Sequence, residues 1–152
     1  MRVDGLTLQN FRNYREQAVS FDPWCNVIFG ENAEGKTNLL EAIVYLSCGR
    51  SHRARSDREL IRFGEDAARL TGNLFARDRD FVLEAELFRD RRRKLWVNRV
   101  PAKNGGAFSQ VYNTVFFCPE DLFLIREGAA VRRKFMDNAL CQLRPRYAAA
   151  LA

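Results

Sequence analysis

Histidine occurs once in this 152-residue chain, as His52, and the four cysteines, Cys25, Cys48, Cys118 and Cys141, stand far apart with no C-x-x-C pair. A zinc site needs ligands at close, regular spacing, and scattered cysteines do not make a disulfide framework. No apolar run approaches the length needed to cross a bilayer, and the opening MRVDGLTLQNF lacks the apolar core of a secretion signal. These absences point to a soluble, cytoplasmic protein with no membrane partner. Lysine is also scarce: of 25 basic residues only 4 are lysine and 21 are arginine. Planar, fork-shaped donors therefore dominate over compact ammonium groups.

What is present defines a folded basic domain. Hydrophobic residues make up 47% and aromatics 12%, enough to offset the ordering entropy of a chain this long. The formal net charge is +6 and the isoelectric point about 9.5, which fits phosphate-bearing partners and leaves DNA, RNA, nucleotides and acidic proteins open.

The hydropathy period changes along the chain. Val3, Leu6 and Leu8 alternate with polar residues, a turn follows at Arg12-Asn13-Tyr14, and Ala18, Val19 and Phe21 mark a second strand ending at Asp22-Pro23. The run Cys25 to Phe29, stopped by Gly30, has the profile of a short buried strand. From Lys36 the period becomes helical, with Leu39, Leu40, Ile43, Val44 and Leu46 on the apolar side and Gly49 placed to end the helix. Period two returns in Leu70 to Ala76, Phe81 to Leu87 and Leu95 to Val97, which predicts an antiparallel meander. Val115 to Phe117 is again apolar, Pro119-Glu120-Asp121 suggests a helix start, and Val131, Phe135, Ala139, Leu140 and Leu143 form a helical stripe behind Gly128. A further helix is expected to begin near Arg146.

Between the short apolar run and the first helix stands Gly30-Glu31-Asn32-Ala33-Glu34-Gly35-Lys36-Thr37, which matches G-x-x-x-x-G-K-[ST]. Glycines at both ends let the backbone curl so that successive N–H groups converge on phosphate oxygens. Lys36 then reaches the β- and γ-phosphates and the Thr37 hydroxyl ligates Mg²⁺. The helix that follows adds its positive end. ATP or GTP binding follows from this pattern in its strand–loop–helix setting. Glu31 and Glu34 lie in a loop meant for anions, and their side chains are expected to point outward.

Other motifs read more plainly. Val115 to Asp121 superficially resembles an apolar strand ending in the acidic pair of a Walker B site, but Pro119 suits a helix start better. Arg50, Arg53, Arg55 and Arg58 follow the first helix, and Arg91, Arg92, Arg93 and Lys94 sit at an expected hairpin. Each run serves equally as a solvated segment or as a phosphate-backbone contact. His52 reads as an exposed loop residue rather than a catalytic base.

The segments Leu6 to Tyr14 (L-x-L-x-N-F-R-N-Y), Phe29 to Ile43 (F-G-E-N-A-E-G-K-T-N-L-L-E-A-I), Cys48 to Arg53, Phe117 to Leu122 and Arg132 to Asp137 together resemble the RecF family of bacterial recombination-repair proteins. The resemblance implies an α/β P-loop fold of the ABC/SMC-head type: an N-terminal ATP-binding lobe with an antiparallel meander over residues 1–143, then the start of a helical segment at 144–152. It also implies an ATP-dependent homodimer that binds single-stranded or gapped duplex DNA. Such a dimer supports recombinase loading with RecO and RecR partners, and SOS induction. Gly30 to Thr37 would hold ATP and Mg²⁺, Arg12 and Asn13 would lie near the base or ribose, and Arg50 and Arg53 would contact DNA or phosphate.

Members of that family are considerably longer, and their signature motif and Walker B carboxylates lie in the C-terminal half. The sequence is therefore expected to be a fragment that binds ATP and hydrolyses little or none alone. Two rivals come from other classes, a small P-loop phosphotransferase and a non-hydrolysing, nucleotide-dependent interaction module. Two strands ahead of the phosphate loop, and no acceptor-binding motif, weigh against the phosphotransferase.

Overall fold

In the computed structural model, which describes residues 1–125, 128–144, 147 and 150, the period-two segments pair into one antiparallel sheet. Its strands are β1 (Arg2–Phe11), β2 (Tyr14–Ser20), β3 (Ala67–Ala76), β4 (Arg79–Phe88), β5 (Lys94–Val97) and β6 (Val100–Ala102), in the order β2-β1-β3-β4-β5-β6. Register follows the hydrophobic alternation. Leu8 faces Leu70, which faces Ala85, which faces Leu95, so one face carries a continuous apolar row. One residue along, Thr7, Thr71, Glu84 and Trp96 line up on the other face, where Arg69 pairs with Glu84 at 2.6 Å. A slip of one residue would exchange the two faces, so burial specifies the register.

Helix α1 (Lys36–Cys48) lies on the apolar face, with Leu39, Ala42, Tyr45 and Leu46 buried. Burying each large side chain contributes about 2 kcal/mol. Leu40, Ile43 and Val44 lie on its other flank and, with Met1, Val3 and Tyr112–Phe116, line a groove of about 330 Å³. The helix is therefore apolar on two sides, which explains why the expected stripe identified only part of the buried set. Gly49 ends α1 as expected, in the left-handed region at φ 66°, its N–H donating to the Tyr45 carbonyl at 2.7 Å.

Beyond the sheet come a short helix α2 (Gly106–Ser109), a 3₁₀ turn at Pro119–Ile125 and helix α3 (Ala129–Leu143). Gly105 sits against the end of α1, where a Cβ would fall 2.1 Å from the Cys48 carbonyl oxygen. Gly105→Ala should cost about 3 kcal/mol, read as a lower urea midpoint at unchanged slope.

Three expectations need correction or qualification. Cys25 to Phe29 is not a buried strand: Asp22 to Phe29 runs without a ladder partner among the described residues, and Trp24, Val27 and Phe29 are 94%, 79% and 88% exposed. An apolar run becomes a strand only where a neighbour supplies the ladder, and the sheet ends at β2. Val115 and Phe117 are bare for the same reason. The stripe on α3 is helical but largely open, with Phe135 and Leu143 exposed, and the helix expected from Arg146 lies largely outside the described residues. Among the described residues no helix is long and apolar enough to cross a membrane.

Candidate functional site

The loop from Gly30 to Gly35 connects the extended segment to α1, and its backbone takes the turns that the motif requires. Gly30, Ala33 and Gly35 have φ of 146°, 68° and 109°. Ala33 is the costly one, since a left-handed conformation strains a residue with a Cβ by about 1 kcal/mol. Lys36 folds over the loop: its Nζ donates to the Gly30 carbonyl at 2.9 Å and also to the Glu31 carbonyl. The Glu31 N–H donates to Glu34 Oε2 at 2.8 Å, so the Glu34 carboxylate turns into the loop and not outward as expected. Physically, a carboxylate is the best nearby acceptor for a backbone N–H in an anion-shaped turn. Asn32 and Thr37 are exposed, with Thr37 in the first turn of α1.

The β1–β2 turn braces this loop. Asn13 Nδ2 donates to the Glu34 carbonyl at 3.0 Å and Tyr14 Oη to the Gly35 carbonyl at 3.1 Å. A Cβ at Gly35 would meet the Asn13 and Tyr14 side chains at 2.6–2.9 Å, so glycine is required here by proximity as well as by φ. Burial pushes the Tyr14 phenol up, which keeps it a donor at neutral pH. Asn38 Nδ2 donates to Asn13 Oδ1 at 2.8 Å, and Arg62 Nη1 holds the Asn13 carbonyl at 2.6 Å. Asn13 thus touches the phosphate loop itself.

Arg12 points to a different partner. Its Nε and Nη2 donate to both oxygens of Glu41 at 2.9 and 2.8 Å, and its Nη1 donates to the Glu59 carbonyl at 2.9 Å. Glu41 is fully buried on α1 and also accepts from Ser51 Oγ at 2.5 Å, with Arg53 Nη1 3.6 Å away. Burial pushes the Glu41 carboxyl up, but the hydrogen bonds from Arg12 and Ser51 and the charges of Arg12 and Arg53 outweigh it, so its pKa is lowered. Sequence reasoning passed over Glu41. The signal was a lone carboxylate inside the apolar stretch N-L-L-E-A-I, with arginines on both sides along the chain.

The loop after α1 folds back along the helix. Arg53 reaches Asn38 Oδ1 at 3.3 Å, next to Thr37, whereas Arg50 stays exposed just beyond the other end of α1. His52 is half-buried, not exposed, with its ring 4.4 Å from that of Phe116. The run Arg91 to Lys94, read equally as a solvated turn or a phosphate-backbone contact, is only partly solvated. Arg93 Nη1 donates to Asp57 Oδ2 at 2.9 Å, to Tyr45 Oη at 3.2 Å and to the Gly49 carbonyl at 2.5 Å. Asp121 caps its own 3₁₀ turn, its carboxylate accepting the Cys118 N–H at 2.8 Å, in keeping with a helix start at Pro119.

The loop's donor set fits a phosphate group, since a carboxylate oxygen already takes one of its N–H groups where a phosphate oxygen would bond. The family described as AAA domain matches residues 5–115. The DNA replication and repair protein RecF of Agathobacter rectalis is 40% identical over 143 residues, 94% of this chain and 40% of that protein. The RecF of Lactobacillus johnsonii is 42% identical over 147 residues, 97% of this chain and 39% of that protein. The chain thus spans about 40% of the length of the curated relatives it matches. A solved structure of the recombination mediator protein RecF-ATP in the RecFOR pathway superimposes with a TM-score of 0.92 at 34% identity, covering 98% of this chain and 40% of that one. A structure from work on ATP-driven dimerization of SMC ATPases shares the fold, with a TM-score of 0.69 at 22% identity, covering 90% of this chain and 98% of that one.

Proposed function

We propose, from the premise that this chain belongs to the AAA-domain family and is a relative of the RecF proteins over nearly its whole length, that it is an ATP-binding lobe serving DNA repair and replication. The observation that carries this reading is the phosphate loop from Gly30 to Thr37, curled and braced by Asn13 and Tyr14 in a fold that superimposes on RecF-ATP. In it, Gly30 to Thr37 hold the triphosphate, Thr37 adds a hydroxyl to Mg²⁺, and Asn13 fixes the loop from outside. Arg53 lies beside Asn38 in the first turn of α1, and Arg50 is left for DNA. When bound, Mg²⁺ neutralises phosphate charge.

The finer reading extends to the longer relatives. There, ATP binding supports homodimerisation, DNA binding at gaps and recombinase loading with RecO- and RecR-type partners. The exposed apolar side chains of Trp24, Val27, Phe29, Val115 and Phe117 fit this reading as surface that a longer chain of this kind covers.

Titration calorimetry with ATP and Mg²⁺ should show saturable binding at one site per chain, and an ATPase assay with and without DNA should show little turnover. Absence of any ATP binding by the folded chain would overturn the proposal. DNA binding should be independent of sequence and fall steeply with salt, because it comes from scattered arginines and not from a groove-reading element. Fluorescence anisotropy on unrelated duplexes at low and high salt checks this, and a salt-insensitive affinity would contradict it.

A further inference from the structure

We infer that Glu34 is a specificity-determining residue of the phosphate loop: its carboxylate holds a backbone N–H that a nucleotide phosphate must take, so it sets how strong an anion must be to enter. This inference rests on the nucleotide-binding reading above and goes beyond it. Three observations converge on it. The Glu31 N–H, inside the motif, donates to Glu34 Oε2 at 2.8 Å. That same oxygen would lie 2.2 Å from a Cβ at Gly30, so the carboxylate is seated directly against the backbone at the first glycine of the loop. The residue is also held from behind, with Asn13 Nδ2 donating to the Glu34 carbonyl at 3.0 Å. Glu34 is thus placed by the β1–β2 turn, not left to sweep through solvent.

Lys36 completes the arrangement. Its ammonium donates to the carbonyls of Gly30 and Glu31, so an internal anion and an internal cation grip the same two residues of backbone. A ligand phosphate must displace the carboxylate from the Glu31 N–H and draw Lys36 off the carbonyls. A weak monoanion gains no more at that N–H than the carboxylate already does, whereas a triphosphate brings several oxygens and more charge. The loop therefore favours polyphosphate over simple anions through a group of its own. Glu31, in the same loop, offers the contrast: its N–H belongs to the cradle, while of the two carboxylates only that of Glu34 accepts a loop N–H among the described residues.

Titration calorimetry of the full chain with ATP and Mg²⁺, and separately with inorganic phosphate, tests this on Glu34→Gln, Glu34→Ala and Glu31→Gln. Both Glu34 variants should bind ATP about tenfold more tightly, the scale of one charge-assisted hydrogen bond, and inorganic phosphate should become measurable. Glu31→Gln should change ATP affinity far less. Because the expected effect is a gain, loss of fold cannot imitate it. Equal or weaker ATP binding by both Glu34 variants would overturn the inference. So would an equal gain in Glu31→Gln, which would assign the effect to general charge. Failure of wild type and variants alike to bind ATP would instead remove the nucleotide reading itself.

Discussion

Lys36→Ala leaves a folded chain that no longer binds ATP at concentrations that saturate wild type. Lys36 is one of four lysines, and it is the basic side chain whose ammonium already lies on the loop, bonded to the Gly30 and Glu31 carbonyls. In the proposed binding mode those bonds are exchanged for bonds to the β- and γ-phosphates, and two charge-assisted hydrogen bonds together correspond to roughly a hundredfold or more in affinity. The folded state should change little, because the side chain tethers only loop carbonyls. Calorimetry gives the affinity and circular dichroism the fold. Wild-type ATP affinity in a folded Lys36→Ala protein would dismiss the site assignment.

Glu41→Ala should have the largest effect on stability. The carboxylate is fully buried, and its removal leaves the Arg12 guanidinium facing α1 without its counter-charge and Ser51 without its acceptor. Removing one partner of a buried pair costs about 3–5 kcal/mol, a large share of the stability of a domain this size. The same group gives a pH signature. Its folded pKa lies below the unfolded one, so its contribution is fully present above the ordinary carboxylate pKa and is lost as pH falls through the lower, folded value. Urea midpoints followed downward through that acid range should fall more steeply for wild type than for Glu41→Gln. Parallel curves would show that the ionised form of Glu41 is not what holds Arg12. ATP affinity should also weaken in Glu41→Gln, since Arg12 adjoins Asn13, which braces the Glu34 carbonyl.

The elements that were legible in the sequence are those whose physics is local. The meander could be read because one face of an antiparallel sheet is buried and the other wet, which writes itself into Leu70 to Leu87 as alternation. The phosphate loop was legible because its glycines and lysine are tied to positions by backbone geometry. Cys25 to Phe29 misled because an apolar run reports a demand for burial and not the neighbour that meets it. Glu34 misled because the rule that loop carboxylates avoid an anion site ignores how well they satisfy its N–H groups. Glu41 and Arg93 were illegible for a third reason. Their roles depend on partners far away in sequence, Arg12 and Ser51 for one and Tyr45 and Asp57 for the other, and no local period encodes that. Arg12 itself could be placed near the loop by its motif, but its guanidinium is committed to Glu41 and to the Glu59 carbonyl.

The strand order has a kinetic consequence. β1 pairs with β2 and β3 with β4 through tight connections, the latter turning at Arg77 and Asp78, both left-handed. Such hairpins close in microseconds. The β1–β3 seam is different, because Leu8 meets Leu70 only after the chain has enclosed the phosphate loop, α1 and the Ser51 to Arg62 segment between them. Closing a long loop is the slow, entropically opposed event. Every bond from the β1–β2 turn to Glu34, Gly35, Glu41 and Glu59 spans residues inside that enclosure. The anion site is thus braced by contacts that are themselves long in sequence, 21 residues apart for Asn13 and Glu34 and 47 for Arg12 and Glu59. A nucleotide that binds only the braced, folded chain should stabilise it by mass action and slow its unfolding.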